Sequence, residues 1–416
     1  MFTRRQMLVG GAALGAAGLT APRVGRAAEV APTDRKFIFV FARGGWDTTK
    51  VFAPVFSSAV ARDGSEVEAS YGNLRLVGSD RRPLTDVFFQ ANHHRLTVLD
   101  GILIRSINHP ICRNLWLTNS PNATQPDWPA LIGYAAADRY VVPHMIVEGY
   151  SMAGDLAAFT AVSGQAGQLE GLLGTRWATN SDDPRLPFSP DTEEMVDLWL
   201  ASRAARKDAQ ATTDVERRLT AAFDESASRL HEFKVASSDL ALSGSSDFGT
   251  QILQATEFLS NGISRCVTLT LPMVWDTHMD NSSQSGNYEE MFTLLMGLNG
   301  ALAHAPGTTG TTLADETVVV VFSEMGRTPF LNSSLGKDHW MYTSMMLWGP
   351  GVRGDIQVGA YDDTLNGRSL DLQSGEPTDA GVPLTPDVIG STLLTLAGID
   401  PGSILGSDNT LRAVLA

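Results

Sequence analysis

Cysteine is scarce in this sequence of 416 residues, which contains only Cys112 and Cys266. The chain is therefore not a small secreted scaffold that depends on several disulfides. Sequence alone cannot place the two thiols within bridging distance of each other. We predict two buried free thiols, and a single bridge formed in an oxidising compartment stays open as the alternative.

Long apolar runs are also missing. The one candidate, residues 9–21, is too short and too rich in glycine and alanine to span a bilayer, which takes about 20 apolar residues. It follows the pair Arg4 and Arg5 and precedes a small-residue exit at residues 25–27, which is the pattern of a twin-arginine export signal. We predict a signal at residues 1–27, a periplasmic or extracellular mature chain, and no stable membrane insertion.

Basic residues are outnumbered by acidic ones, 31 to 46. The predicted signal holds four arginines and no acidic residue, so its removal would leave 27 basic and 46 acidic residues and a net charge of −19. So acidic a surface argues against nucleic acid and anionic membranes as partners. It is compatible with binding divalent cations, and twin-arginine export is generally used by proteins that fold first, often around a metal or cofactor.

Short apolar runs alternate with helical patterns along the remaining chain, and this alternation predicts an α/β fold with a mostly parallel central sheet and helices on both faces. The predicted strands are residues 36–42, 96–99, 144–147, 267–274, 318–322 and 345–348. The predicted helices are residues 191–211, 214–235, 248–263, 288–304 and 386–398. We expect residues 28–416 to form one domain, with residues 184–246 as an inserted helical region or as a plain outer layer of helices.

Three predicted strands end in side chains that can bind metal ions or move protons. Asp47 follows the first strand, Asp276 and His278 follow the strand at 267–274, and Glu324 follows the strand at 318–322. Ligands bind at the carboxyl ends of strands in open α/β sheets. Three carboxylates that converge there would repel one another unless a cation neutralised them, which favours a metal site.

The strongest local signal is the pair Asp276 and His278, because a spacing of two residues places a carboxylate and an imidazole on the same side of an extended segment. Alternatively, the Asp and His of such a segment could serve only as turn and helix-cap groups of a loop. Arg327 could clamp an anionic oxygen, or pair with Glu324 instead. The candidate ligands for one or two divalent ions of zinc, manganese or calcium are Asp47, Asp276, His278, Glu324, Asp338 and His339.

Several motifs resemble those of a twin-arginine-exported bacterial family of unknown function, family 1501, which is assigned to the alkaline-phosphatase-like superfamily. They are RGGWD at 43–47, WDTHMDN at 275–281, FSEMGRTPFLN at 322–332 with GKDHW at 336–340, and TPDVIGSTLLTLAGIDP at 385–401. They occur in the expected order, and the resemblance covers the mature chain from its first strand to its last helix.

The resemblance implies a nucleophile at a helix N-terminus between two metal ions, one of them held by an aspartate after the first strand. By resemblance Asp47 is that aspartate, and Asp276 and His278 supply much of the other site. Glu324 stands where an Asp-His pair is usual, and Met325 replaces the histidine of that pair. The later pair Asp338-His339 could supply the missing group.

The segment that should carry the nucleophile precedes a predicted helix at residues 111–117, whose N-terminus favours anions. Relatives have a Ser-His pair there, and Asn108 and His109 stand in its place. An amide cannot form the covalent intermediate that a hydroxyl or thiol forms. We therefore expect Asn108 to orient the anion together with Arg327, and His109 is a further candidate catalytic residue. The sulfatase signature is absent around Cys112.

Two functions follow from the resemblance and from the departures from it. The first is an exported metal-dependent hydrolase or transferase that acts on a small anionic ester, namely a phosphate, sulfate or phosphonate. The second is a secreted binding or assembly protein that keeps the fold, and with it a structural metal, without turnover. The missing hydroxyl at Asn108 and the missing histidine at Met325 favour the second.

Overall fold

The computed structural model describes residues 30–163, 189–237, 240 and 247–416. The predicted export signal at residues 1–27 lies outside these residues. In the described part of the chain no helix is long and apolar enough to cross a membrane.

An eight-stranded sheet lies at the centre of the molecule. The strands β1 to β12 are, in chain order, Lys36–Phe41, Glu66–Tyr71, Leu74–Ser79, Leu96–Leu103, His144–Ile146, Thr160–Val162, Cys266–Thr270, Thr317–Phe322, Gly326–Arg327, His339–Trp340, Tyr342–Trp348 and Ile356–Val358. The order across the sheet is β12-β4-β11-β8-β1-β7-β5-β6, and only β11 runs antiparallel to its neighbours. The sheet is therefore mostly parallel, as predicted.

Helices cover both faces of this sheet. The described helices α1 to α10 are, in chain order, Pro83–Asn92, His109–Thr118, Trp128–Tyr134, Pro190–Gln210, Asp214–Ala236, Phe248–Ser260, Ser283–His304, Leu313–Glu316, Pro386–Leu396 and Pro401–Leu405. Val319 and Val321 of β8 point into a core shared with α6 and α7, whereas Val318 and Val320 point into a core shared with α2, α3 and α9. A continuous β-branched run is thus explained by burial on both faces, and the predicted fold class is confirmed.

Several elements escaped prediction. The hairpin of β2 and β3 is half exposed and carries no continuous apolar run. The strands β6 and β12 have three residues each and are only partly buried, so neither shows a continuous apolar run. The predicted helix at 288–304 begins earlier, at Ser283, and the strand predicted at 345–348 begins at Tyr342. None of these differences moves a predicted site residue away from a strand end or loop.

The helices α4 and α5, which fall within the region predicted as an insertion, pack against each other. Arg229 of α5 donates hydrogen bonds to the carbonyl oxygens of Ala137, Tyr140 and Val141. Phe233, near the end of α5, is buried in the same core as α6 and α7. These contacts tie the described helical region to the body of the molecule, and its description as an insertion stays a prediction.

The two thiols are free and buried, as predicted. Cys112 lies in α2 and Cys266 in β7, and both belong to the core that α3 and α9 share. Burial raises the pKa of Cys112 to about 11. Burial likewise raises the pKa of Cys266 well above its usual value. Both side chains are therefore packing groups at neutral pH, without thiolate reactivity.

Asp100 of β4 is a carboxyl buried beside neutral groups. Its side chain accepts hydrogen bonds from Ser344 Oγ at 2.7 Å and from Gln357 Nε2 at 2.5 Å. Burial raises the pKa of Asp100 to about 7, and these two hydrogen bonds lower it only in part. The folded protein therefore holds a proton on Asp100 at pH values where the unfolded chain has released it.

We expect Asp100→Asn to remove a pH dependence of stability. Below pH 3.8, its ordinary pKa, Asp100 is protonated in both the folded and the unfolded chain and does not affect the free energy of unfolding. As the pH rises from there through about 7, only the unfolded chain gains from releasing the proton, so the free energy of unfolding falls. The loss amounts to at most roughly 4 kcal/mol for a shift of this size. Urea denaturation at several pH values between 4 and 8 measures it.

The matched control is Asp80→Asn, at an exposed aspartate. It should keep the pH dependence of the native protein. An unchanged pH dependence in Asp100→Asn would show that Asp100 is ionised throughout this range.

Candidate metal centre

Close packing of the loops after β1, β7 and β8 creates the site. A Cβ atom on Gly44 would lie 2.7 Å from the backbone nitrogen of Asp276, so the loop after β1 can approach the loop after β7 only with glycine there. Gly44 also donates its backbone N–H to the Oε1 and Oε2 atoms of Glu324, at 2.9 and 3.1 Å. The three strand ends therefore meet, as the sequence predicted for a parallel sheet.

The segment 336–340 folds back over the same strand ends. β10 pairs antiparallel with β9, which places His339 opposite Arg327. A Cβ atom on Gly336 would lie 2.0 Å from the carbonyl oxygen of His278, so this approach also requires glycine. Together these contacts bring the motifs WDTHMDN and GKDHW onto one another.

Three imidazoles point into the space between these loops, and each ring is held through its Nδ1 atom. Nδ1 of His109, at the start of α2, lies 2.9 Å from Glu324 Oε1. Nδ1 of His278 lies 2.9 Å from Asp338 Oδ1. Nδ1 of His339 lies 2.7 Å from the carbonyl oxygen of Ile107.

Carboxylate and carbonyl oxygens can only accept hydrogen bonds, so each Nδ1 atom must carry the proton. In the neutral ring the lone pair then lies on Nε2. A ligating histidine in a metal site is held in this way, with its other ring nitrogen bound to a carboxylate or a backbone carbonyl. The three rings are thus oriented as metal ligands are.

The three Nε2 atoms converge on the carboxylate of Asp276. They lie 3.2 Å (His278) and 3.4 Å (His339) from Asp276 Oδ1, and 3.6 Å (His109) from Asp276 Oδ2. The ligand atoms of His109, Asp276 and His339 all lie within 4.8 Å of one another. These three groups therefore surround a single position, and His278 lies at its edge, close to Asp276 and His339.

Two features of this group fit a bound cation. Nε2 of His278 and Nε2 of His339 are 2.9 Å apart, and two lone pairs facing each other at that distance repel unless a proton or a metal ion lies between them. Nε2 of His109 is buried and has no hydrogen-bond partner among the residues that the structure describes. Such an atom normally costs stability, and coordination of a metal would satisfy it.

The side-chain exposure of the four groups leaves the position open to solutes. It is 31% for His109, 39% for Asp276, 41% for His278 and 20% for His339. A metal held here could therefore meet water and a small substrate, whereas a closed structural site would keep both out.

The surroundings favour an ionised Asp276 and a neutral His339, whereas they favour protonation of His109. Burial raises the pKa of Asp276, but the hydrogen bond and charge of Arg327 outweigh it and lower the pKa. Burial and the charge of Arg327 lower the pKa of His339. The hydrogen bond to Glu324 raises the pKa of His109. Without a metal, the ring of His109 is therefore easier to protonate than that of His339.

Arg327 is fully buried and its guanidinium is used within the protein. It donates to Asp276 Oδ1 at 2.5 Å, to Gly45 O at 2.8 Å, to Lys337 O at 3.1 Å, and to Gly44 O. Its charged partner is thus Asp276, where the sequence suggested Glu324. These contacts hold the loops together, and the role of Arg327 as an anion clamp stays a prediction.

Glu324 and Asp338, predicted as ligands, are instead placed behind the imidazoles. Glu324 is 2% exposed and binds His109 and Gly44, whereas Asp338 binds His278 and Asn332. In this arrangement both carboxylates orient the rings. Their predicted role as direct ligands is not what the geometry favours.

Asp47 and Asn108 also have structural partners. The Asp47 side chain is fully buried and forms a salt bridge with Lys337, at 2.9 Å. Burial would raise the pKa of Asp47, but the charge of Lys337 outweighs it and holds the pKa at about 2. Asn108 caps α2, since its Oδ1 atom accepts the N–H of Ile111 at 3.2 Å.

Sequence reasoning missed two contributions to this site. The carbonyl oxygen of Ile107 fixes the ring of His339, and no side-chain pattern could reveal a backbone contact. Lys337 neutralises Asp47, and its position inside GKDHW was the only signal for it. Met325, which stands where a histidine is usual, is a buried core residue.

We expect single substitutions to separate ligands from orienting residues. His278→Ala and His339→Ala each remove a predicted ligand and should abolish most of the zinc affinity measured by titration calorimetry. Asp338→Asn leaves the ring of His278 in place but weakens its orientation, and losses of this kind are typically about 10- to 100-fold.

The matched control is His304→Ala. His304 is exposed, and its Nδ1 atom also lies 2.7 Å from a backbone carbonyl, that of Gly300. It should bind zinc like the native protein. Equal zinc affinity in all four variants would rule out a metal at this position.

Three proteins of known structure are among those similar to this chain. They are the lipoteichoic acid synthase LtaP from Listeria monocytogenes (11% identity, TM-score 0.38, 93% of this chain and 76% of that chain covered), the C-terminal periplasmic domain of EcEptC from Escherichia coli in complex with Zn (11% identity, TM-score 0.39, 91% and 87% covered), and the PsFucS1 sulfatase from Pseudoalteromonas sp. (11% identity, TM-score 0.33, 92% and 76% covered).

Comparison with curated proteins finds no match. Residues 173–406 match a family described as "Protein of unknown function (DUF1501)", and these residues are more than half of the chain. The matched range includes the motifs WDTHMDN, FSEMGRTPFLN and GKDHW, which carry Asp276, His278 and His339. The predicted family is therefore confirmed: the chain belongs to the DUF1501 family of proteins of unknown function.

Proposed function

We propose that this protein is an exported, metal-dependent hydrolase that acts on a phosphate, sulfate or phosphonate ester. One observation supports the proposal: three imidazoles, each held through Nδ1, present their Nε2 atoms to the partly exposed carboxylate of Asp276. Ligands of this kind suit zinc and other divalent transition metals better than magnesium or calcium. The predicted export signal would place the protein in the periplasm or outside the cell.

Asp276, His109, His278 and His339 would hold the metal. A divalent ion there supplies Lewis-acid chemistry, because it neutralises an anionic ester and lowers the pKa of water towards neutrality. This assigns His109 to the metal, where the sequence counted it as a catalytic residue. Glu324 fixes the orientation of the His109 ring, because both of its oxygens accept the backbone N–H of Gly44 and one of them also binds Nδ1 of His109.

Hydrolysis is favoured over covalent transfer by the groups around the centre. Among the described residues, the side chains that hydrogen-bond to these four are Glu324, Asp338 and Arg327, together with Asn332. None of these carries a hydroxyl or a thiol, and Cys112 is buried in the core. Water is therefore the nucleophile that this arrangement supports.

The substrate's charge fits the surroundings. The centre lies at the start of α2, a helix of ten residues whose N-terminus carries a partial positive charge. The single carboxylate that faces the three Nε2 atoms is neutralised by Arg327. A small anionic ester would therefore approach without strong repulsion, although the mature chain as a whole is acidic.

The second candidate is a binding or assembly protein that keeps a structural metal. It is favoured by the internal use of Arg327 and Asp47, because both are saturated by protein groups and neither reaches solvent. A protein of this kind would bind metal and an anion without turning it over.

We expect the mature protein, residues 28–416, to hydrolyse at least one member of a panel of chromogenic phosphate monoesters, phosphate diesters and sulfates. Chelation should abolish turnover, and zinc or manganese should restore it. His339→Ala should lower kcat/KM by about 100-fold or more, because it removes a ligand. His304→Ala, which leaves the centre intact, should keep the native rate.

Turnover that survives chelation and His339→Ala would contradict the proposed centre. No turnover of any ester, with stoichiometric metal bound, would select the binding protein instead.

A further inference from the structure

The carboxylate of Asp47 has no acceptor position left for a metal ion. Its Oδ1 atom accepts the backbone N–H of Thr49 at 3.1 Å and the Thr49 hydroxyl at 2.7 Å. Its Oδ2 atom accepts from Asn281 Nδ2 at 2.7 Å and from Lys337 Nζ at 2.9 Å. A carboxylate offers about four lone-pair positions. All four are occupied, on a side chain that is 0% exposed.

Lys337 is built into this arrangement just as firmly. Its side chain is 1% exposed, and Nζ also donates to Thr49 Oγ1 at 2.9 Å. Its backbone N–H donates to Thr277 O at 3.1 Å, and its carbonyl accepts from Arg327 at 3.1 Å. Lys337 therefore joins the loop after β1 to the two segments that carry His278 and His339.

An ammonium group and a metal ion cannot both neutralise Asp47 here. A buried carboxylate without a partner is strongly destabilising, so Asp47 needs one cation beside it. A second cation would have to displace Lys337 and would lie beside its charge. Lys50 lies nearby as well, but its positive charge is paired with Glu66 at 2.9 Å. The ammonium group that neutralises Asp47 is therefore that of Lys337.

We propose that Lys337 takes the place of a second metal ion, so that the centre of Asp276, His109, His278 and His339 holds one metal per chain. This inference rests on the proposed metal centre. It contradicts the two-metal arrangement that the family resemblance implied, in which Asp47 was a ligand. Lys337 is a positioning residue, because it acts through Asp47 and through the loops that carry the imidazoles.

A single metal narrows the chemistry of the proposed reaction. Two metals a few ångströms apart can stabilise both the attacking and the leaving oxygen of a displacement, and one metal can stabilise only one of them. The ester that this centre cleaves should therefore have a leaving group that is stable as an anion, such as a phenolate, or one that takes a proton from solvent.

The test combines metal content with a pair of variants. The mature protein is loaded with zinc, freed of excess, and analysed by native mass spectrometry and by plasma emission. We expect one zinc per chain. Two per chain would overturn this inference and leave the proposed hydrolase standing. If no zinc is bound, the proposed metal centre is wrong, and so is the inference that it holds one metal ion per chain.

The variants test the role of Lys337 without reference to turnover. Lys337→Met leaves Asp47 buried and unpaired, so the melting temperature should fall, and Asp47→Asn in the same chain should restore most of it. The double variant should still bind one zinc, with its zinc affinity within about 10-fold of the native value. If the double variant recovers the native melting temperature and still loses zinc, misplaced loops do not explain the loss, Asp47 is a ligand and the inference is wrong.

A matched pair elsewhere in the chain provides the control. Lys36 and Glu316 form another fully buried ion pair, at 2.7 Å. Lys36→Met should also lower the melting temperature, and Glu316→Gln should rescue it, whereas Asp47→Asn should not. Rescue of Lys36→Met by Asp47→Asn would show that the effect is not specific to the Asp47–Lys337 pair, which would overturn the assignment.

Discussion

The hydrogen bonds from three Nδ1 atoms to fixed oxygens are the constraint on which the site depends. An imidazole can present a lone pair to a metal only if its other nitrogen carries the proton, and an oxygen that can only accept enforces that state. Glu324, Asp338 and the carbonyl of Ile107 supply these oxygens from three separate segments. The fold therefore holds the three rings in the orientation that a metal ligand needs.

Charge balance explains why these segments stay together. Two carboxylates near the centre form ion pairs with basic side chains of the protein: Asp276 with Arg327 and Asp47 with Lys337. These pairs also join the loops, since Arg327 donates to two carbonyls after β1 and Lys337 bonds to Thr277. Leaving one member of a buried pair alone is costly, so the pairs fix the geometry of the site.

Much of the fold and part of the site could be predicted from the sequence. Continuous apolar runs such as Val318–Val321 mark strands that are buried on both faces, and parallel strands bring their carboxyl ends to one edge. That reasoning placed Asp276, His278, Glu324 and the segment of His339 together. Short or half-exposed elements such as β6 and the β2–β3 hairpin carry no comparable pattern.

The division of roles could not be predicted. Whether a carboxylate binds a metal or orients an imidazole depends on distances of a few ångströms, and the sequence shows only that Glu324 and His109 are both present. The partner of Asp47 lies far away in the chain, so a predicted ligand became half of a buried ion pair. The family resemblance implied two metal ions because it rests on motifs. A motif shows which residue types are present, but it does not show which residues they contact.

The most direct measurement is anomalous diffraction at the zinc absorption edge from crystals grown with zinc. We expect one peak per chain, about 2.0–2.1 Å from the Nε2 atoms that bind the metal and bounded by Asp276, His109, His278 and His339. A peak beside Asp47, or no peak between the three imidazoles, would contradict it.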